Sequence, residues 1–296
     1  MEVLLTCPAC NSTSFKKAIS SRDYFLSKEE FSIDECDDCG LRFTNPRPGF
    51  DDIISYYNST EYISHDTTNK GFLTRVYTVA RNFMLKRKFS IVLQSSKGKS
   101  ILDIGCGTGE FLHFCQTKGF HAYGIELNEK PRESSKKTYG LDVREKISDF
   151  QPENLKFDCI TLWHVLEHIH ELNATINNIR GLLKPEGVLI IALPNCKSWD
   201  AEHYKQLWAA YDLPRHLYHF NKKSFKKFAA MHHFSIVKIL PQILDSYYIS
   251  LLSEKYINGK NNFIKAVFKG AYSNLQAGKK KIGHSSLIYI LLPENS

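Results

Sequence analysis

No stretch of this sequence approaches the roughly 18 consecutive apolar residues that a membrane-spanning helix needs, so a spanning protein is not expected. The N-terminus, Met1-Glu2-Val3-Leu4-Leu5-Thr6-Cys7, has neither a basic stretch ahead of an apolar run nor a small-residue cleavage site, which argues against a secretory signal and for a cytoplasmic location. Internal repeats and low-complexity segments are absent, which excludes solenoids and disordered tracts. Blocks of one charge are scarce too. The net charge is +8, but the lysines are scattered and only Lys279-Lys280-Lys281 forms a short run. That pattern reads as a solvated surface, the alternative being a basic rim for an anionic substrate such as a nucleotide sugar or nucleic acid.

What is present is an ordinary globular composition, 43% hydrophobic and 24% charged. At 296 residues the chain fits a main domain with a small appendage. Its eight cysteines fall into two sets. Cys106, Cys115, Cys159 and Cys196 stand singly, whereas Cys7, Cys10, Cys36 and Cys39 form two C-x-x-C pairs in a segment too short for its own core. In a reducing compartment such pairs are metal ligands before they are disulfides, and four thiolates suit tetrahedral zinc with no open position. The spacing predicts a zinc ribbon over residues 1–45 with a structural zinc, a redox pair being the alternative. Asn45-Pro46-Arg47-Pro48-Gly49 interrupts regular structure and ends the ribbon. Residues 46–96 read as a helical linker or cap, with Leu73, Tyr77, Ala80 and Met84 at a helical period.

From Ser100 the pattern changes to short apolar runs: Ile101–Ile104, Ala122–Ile125, Cys159–Leu162 and Val188–Ile191, then Ser235–Leu240 and Leu287–Leu292. These read as buried strands, the first four parallel, with a helix marked by Leu172, Ile176, Ile179 and Leu183 stopping at Lys184-Pro185-Glu186-Gly187. The alternation predicts a doubly wound α/β fold. A helix carrying Ile264, Val267, Phe268, Ala271 and Leu275 opposite Lys265 and Lys269 is expected to pack that stripe on its own core, with peripheral membrane or partner contact as the alternative.

Asp103-Ile104-Gly105-Cys106-Gly107-Thr108-Gly109 follows a predicted strand and opens a predicted helix. Its glycines let the backbone turn tightly and approach a ligand. Glu126 ends the next predicted strand, where a carboxylate can accept hydrogen bonds from both hydroxyls of a ribose. These two features resemble class I S-adenosylmethionine (SAM)-dependent methyltransferases over roughly residues 97–240. The resemblance implies a Rossmann-like seven-stranded methyltransferase sheet over residues 97–296. It assigns SAM to Asp103, Gly105, Cys106, Gly107, Thr108, Gly109, Glu126, Leu127, Asp149 and His164, with substrate-covering segments at about 197–222 and 243–284. Phe157–Ile169 resembles the branch that includes ubiquinone-biosynthesis O-methyltransferases. Leu193-Pro194-Asn195 and Pro214–Phe220 are similar to bacterial relatives linked to surface-polysaccharide and sugar modification.

Methyl transfer is an in-line displacement, so a hydroxyl acceptor needs a general base. His164, Glu167 and His168 stand three and four apart, which on a helical turn would put them on one face. They are base candidates, His168 first, and could instead ligate a divalent metal. His216 and His219, with Trp208, Tyr211, Asp212, Arg215 and Tyr218 nearby, form a second cluster whose composition suits a glycan or nucleotide sugar. The expected reaction is O-methylation of a sugar, glycan or related small molecule. The alternatives are C-methylation of a nucleotide sugar and a zinc-ribbon nucleic-acid-binding protein or RNA methyltransferase. The absence of an N-P-P-Y or D-P-P-Y element and of an aromatic stacking platform argues against nucleic acid.

Overall fold

In the computed structural model, residues 1–57, 72–150, 155–280 and 283–294 are described. In chain order the strands and helices are β1 (Phe15–Arg22), β2 (Glu30–Cys36), β3 (Arg42–Thr44), α1 (Phe72–Ser95), β4 (Ser100–Ile104), α2 (Glu110–Thr117), β5 (His121–Ile125), α3 (Glu129–Tyr139), β6 (Asp142–Arg144), β7 (Phe157–Trp163), α4 (Leu172–Leu182) and β8 (Leu183–Pro194). After these come α5 (Trp199–Tyr204), β9 (Tyr218–His219), α6 (Lys222–Met231), β10 (Phe234–Pro241), α7 (Asp245–Asn258), α8 (Phe263–Lys280) and β11 (Ser286–Pro293). The chain divides into two compact units. The first takes Met1–Ser59, His164–Asn173 and Ala192–Tyr289, and the second takes Thr60–Trp163, Ala174–Ile191 and Ile290–Ser296.

Seven strands form a sheet in the order β10-β11-β8-β7-β4-β5-β6, the α/β architecture expected from the sequence. β4 pairs in parallel with β5 and β7, and β5 with β6. In the second unit, strands covered on both faces must be apolar throughout, and Ile101, Leu102, Cys159, Ile160, Leu162 and Val188–Ile191 are all buried. α2 turns Phe111, Leu112 and Cys115 inward, and α4 turns Ile176 and Ile179 inward. α4 stops at Leu182; the segment read as a helix stop opens β8 instead. At Gly187 a Cβ would stand 2.8 Å from the Phe157 carbonyl oxygen, so only glycine lets the two strands approach there. β6 is only three residues long, too short to show as an apolar run in the sequence. The cap predicted over 46–96 falls partly on 58–71, outside the described residues; 72–95 is helical.

The first unit holds a second sheet, β1-β2-β3-β9, in which β3 pairs antiparallel with β9 through Arg42↔His219 and Phe43↔Tyr218. A strand more than 170 residues downstream therefore completes the sheet of the cysteine-bearing segment. Its core gathers Phe31, Ile33, Tyr204, Trp208, Tyr211, Leu213 and Ile249. Each fully buried aliphatic or aromatic side chain contributes about 1.5–3 kcal/mol. Two expectations are corrected here. Trp208, Tyr211 and Tyr218, read as part of a glycan platform, are core residues: Trp208 Nε1 donates to Asp200 (2.8 Å), and the Tyr218 hydroxyl donates to the His170 carbonyl (2.8 Å). The apolar stripe of α8, expected to pack inward, faces solvent.

Candidate active site

The glycine loop and Glu126 lie in the second unit and are built as one structure. Gly105, Gly107 and Gly109 all adopt left-handed backbone (φ +72°, +56° and +79°), which residues with a Cβ rarely tolerate. The Gly105 and Cys106 amides donate to the Ile125 carbonyl (2.7 and 3.0 Å), tying the loop to the end of β5. Glu126 accepts from the Gly107 amide (2.9 Å) through one oxygen and from the Asn128 amide (2.9 Å) through the other. Each oxygen keeps a lone pair for a further donor. Nothing lies within 4 Å of where a Gly107 Cβ would stand, so that backbone presents a bare face. Left-handed glycines, an open backbone and a half-buried carboxylate that can accept hydroxyl donors fit the nucleoside of SAM.

Asp103 is buried at the end of β4 and accepts from Thr161 Oγ1 (2.5 Å). Burial drives its carboxyl up to about 7, opposed by Lys88 and the Thr161 hydrogen bond. Its hydrogen-bond partner, Thr161, thus lies on β7 and not on the loop. Thr108 and Leu127 are exposed, and Arg132 binds the Glu126 and Leu127 carbonyls (2.8 Å each). Asp149 is exposed on the short turn Ile147–Phe150, accepting from the Lys146 amide (3.0 Å).

In the first unit, Cys7, Cys10, Cys36 and Cys39 converge, with all four sulfurs within 4.8 Å of one another and the Cys7–Cys39 and Cys10–Cys36 pairs at 3.6 Å. Tetrahedral zinc with Zn–S bonds of about 2.3 Å sets sulfurs about 3.8 Å apart, so the donor set fits that ion.

The His164–His168 segment does not form the single helical face expected. His164 has φ +58°, a strained conformation for a side chain with a Cβ, and Leu166–His168 is one short helical turn. His164 Nε2 lies 2.9 Å from Asp245, and Nδ1 3.4 Å from Glu167, as ion-pair contacts rather than aligned hydrogen bonds. Burial would pull this imidazole down, but Asp245 and Glu167 outweigh it and push it up to about 10. Two carboxylates beside the ring favour its protonated form, which argues against His164 as the base.

What the fold brings together is Glu167, His168 and His216, whose ligand atoms all lie within 4.8 Å of one another. The His168 and His216 rings meet edge to face at 4.5 Å. His168 Nδ1 lies 2.9 Å from the Tyr57 hydroxyl and 3.0 Å from the Arg215 carbonyl. His216 Nδ1 lies 2.9 Å from the Ala210 carbonyl. A carbonyl only accepts, so in the neutral rings both Nδ1 atoms carry the proton and both Nε2 atoms carry the lone pair. Burial, and then His216, pulls His168 down to about 4, so it is neutral at physiological pH. Glu167 is fully buried, and among the described residues neither of its oxygens accepts a hydrogen bond. Burial pushes its carboxyl up, but the His164 contact and the neighbouring imidazoles prevail and hold it below the usual carboxylate range. Two imidazoles clustered with an anion, each with a lone-pair nitrogen, can take a proton, or could hold a divalent cation.

His219 stands apart from this trio, bonded to Thr44 Oγ1 (3.2 Å) and packed on Tyr211, with burial pulling its ring well below the usual range. Arg215 is buried and forks onto Asp23 (2.9 Å) and Asp212 (2.7 Å), so it braces the segment instead of facing a ligand. Tyr57, Asp23 and Asp245 were missed by sequence reasoning, because none stands in a local motif.

A glycine loop after one parallel strand and an acidic residue ending the next define a Rossmann-like, nucleoside-cofactor protein. A family model for a methyltransferase domain matches residues 77–239, more than half of the chain, and the chain belongs to that family. Curated relatives include ubiquinone biosynthesis O-methyltransferases of Actinobacillus pleuropneumoniae. That of serotype 5b (strain L20) is 33% identical over 109 residues, 33% of this chain and 47% of the relative. That of serotype 7 (strain AP76) is 28% identical over 173 residues, 54% of this chain and 73% of the relative. The chain thus spans about half the length of the first of these and 73% of the second. Among solved structures, magnesium protoporphyrin IX methyltransferase from Synechocystis PCC 6803 with bound SAH is similar at a TM-score of 0.53 and 16% identity, covering 82% of this chain and 98% of that one. This last likeness shows the fold.

Proposed function

We propose that the protein transfers a methyl group from SAM to a hydroxyl of a small molecule, a sugar or glycan being the first acceptor class to test and C-methylation of a nucleotide sugar the alternative. The observation that carries this reading is the pair of Nδ1-anchored, Nε2-open imidazoles of His168 and His216 beside the buried Glu167 carboxylate. Gly105 to Gly109, Glu126 and Leu127, with Asp149 alongside, would hold SAM, which would supply an electrophilic methyl. Its methyl would leave sulfur for the acceptor oxygen, releasing S-adenosylhomocysteine, and the part assigned to this chain is to take the hydroxyl proton at Nε2 of His168 or His216. Glu167 then stabilises the imidazolium that forms. Asp103 is counted with the glycine loop and Glu126 as a cofactor residue, and the four cysteines hold zinc in a structural role. The relatives' names favour oxygen as the accepting atom.

The test pairs turnover with calorimetry. In a screen of sugar, glycan and phenol acceptors, His168→Ala and His216→Ala are expected to cut turnover by about 10²–10⁴-fold with SAM affinity retained. Glu126→Ala is expected to weaken SAM itself. Unchanged turnover in both histidine variants would sink the assignment of the base. Salt-sensitive binding of RNA or DNA oligomers without turnover would favour the nucleic-acid alternative.

A further inference from the structure

Helix α8 is mounted with its small side chains inward and its large ones outward. Ala266, Gly270, Ser273 and Ala277 recur at three and four residues, and the three with side chains are buried. Gly270 lies so close to α7 that a Cβ would stand 2.8 Å from the Tyr247 Cα. Ile264, Val267, Phe268, Tyr272 and Leu275 occupy the opposite face, with Ile264 74% and Phe268 72% exposed. At 100° per residue these five fall within an arc of roughly 140°. Tyr248 and Ile257 of α7 are exposed as well. Contiguous apolar surface of this kind is uncommon on a soluble monomer and marks a contact surface.

Charge identifies the contact. From Gly259 to Lys280 the chain has no Asp or Glu, while Lys260, Lys265, Lys269 and Lys279 are all present. Lys265 and Lys269 lie along one edge of the stripe, Lys265 paired with the buried Glu254 (2.8 Å) and Lys269 over the Trp199 ring (5.7 Å). Bulky apolar groups flanked by Lys260, Lys269 and Lys279, with Lys265 offset by Glu254 and no acidic residue in the helix itself, match a surface that is apolar beneath and anionic at its rim. We propose that α8 docks the protein on an anionic phospholipid bilayer, with Ile264, Val267, Phe268 and Leu275 entering the headgroup boundary and the lysines meeting the phosphates. No helix among the described residues is long and apolar enough to cross a membrane, so the contact lies in the plane of the surface.

The test is co-sedimentation of the full chain with phosphatidylcholine vesicles and with vesicles that also contain phosphatidylglycerol, at low and high salt. Binding is expected to the anionic vesicles, to weaken with salt, and to fall at least tenfold in Ile264→Ser/Phe268→Ser and in Lys269→Glu/Lys279→Glu. All four positions lie outside the buried core, so melting temperature and SAM binding should be unchanged. Equal binding to neutral vesicles, or none to either kind, would overturn the proposal. So would a dimer in sedimentation velocity that Ile264→Ser/Phe268→Ser abolishes in protein that ignores vesicles, since the stripe would then be a self-association face.

Discussion

The two units obey different kinds of rule. In the second, the residues that make the site are neighbours in sequence: the turn from Asp103 to Gly109 is set by its own glycines, and Glu126 closes on the loop from the end of the adjacent strand. In the first, the site is assembled from distant pieces. Glu167 and His168 meet His216 because a buried arginine pins the segment to Asp23 and because β9 pairs with β3. The lesson is that a glycine loop can be specified locally, whereas a cluster of buried titratable side chains can depend on a scaffold that its own residues do not announce.

The comparison breaks most visibly at the cysteines. If zinc organises the sheet that β9 completes, Cys36→Ser should lose bound metal, measured by elemental analysis, and lose the helical turn and strands of the first unit to proteolysis. Structural zinc contributes about 10–16 kcal/mol in small domains, so this is the largest effect expected. The glycine loop does not depend on that sheet for its hydrogen bonds, and fragments containing it should survive longer. Full metal content and unchanged proteolysis would show that the thiols do not hold zinc.

The next effect concerns Arg215. Its removal leaves the buried Asp23 and the half-buried Asp212 without their cation, and breaking such a network costs up to about 3–5 kcal/mol. Burial alone would raise both carboxyls, but Arg215 holds them below the usual 3.8. A lowered native pKa contributes stability that is complete above the unfolded value and lost as pH falls through the lowered one. Arg215→Ala should therefore be far less stable than wild type in urea at pH 7, with the gap narrowing below about pH 4, as the carboxyls protonate. A gap that is constant from pH 7 to pH 3 would remove the ion network from the account.

The sequence made the second unit legible and the first only in part, for physical reasons. Short apolar runs can be read as buried strands because both faces are covered, and left-handed turns advertise themselves as glycine. Nothing comparable marks a partner in tertiary structure. His164, Glu167 and His168 stood at helical spacing, but His164 is strained and paired with Asp245, and the third member of the trio lies 48 residues beyond His168 at His216. Trp208, Tyr211 and Tyr218 suited a sugar platform by composition, and burial turned them into core. The α8 stripe had the correct period, but periodicity gives the face and not the direction it points.

The smallest effects separate two glycines of the same loop. Both Gly107 and Gly109 have left-handed backbone, so alanine at either costs about 1–2 kcal/mol in strain. Their surroundings differ. A Cβ at Gly109 would stand 2.6 Å from Leu141 Cδ1 and 2.9 Å from Ser135 Cβ, so packing adds about 1–3 kcal/mol there. A Cβ at Gly107 would meet nothing, so its methyl would stand on the open face of the loop that the proposed cofactor site uses. Urea unfolding should thus rank Gly109→Ala below Gly107→Ala in stability, while calorimetry should show that Gly107→Ala, destabilised by only about 1–2 kcal/mol, has lost affinity for SAM. Equal destabilisation by the two, or undiminished SAM binding by Gly107→Ala, would mean that the bare face of the loop is not where the cofactor lies.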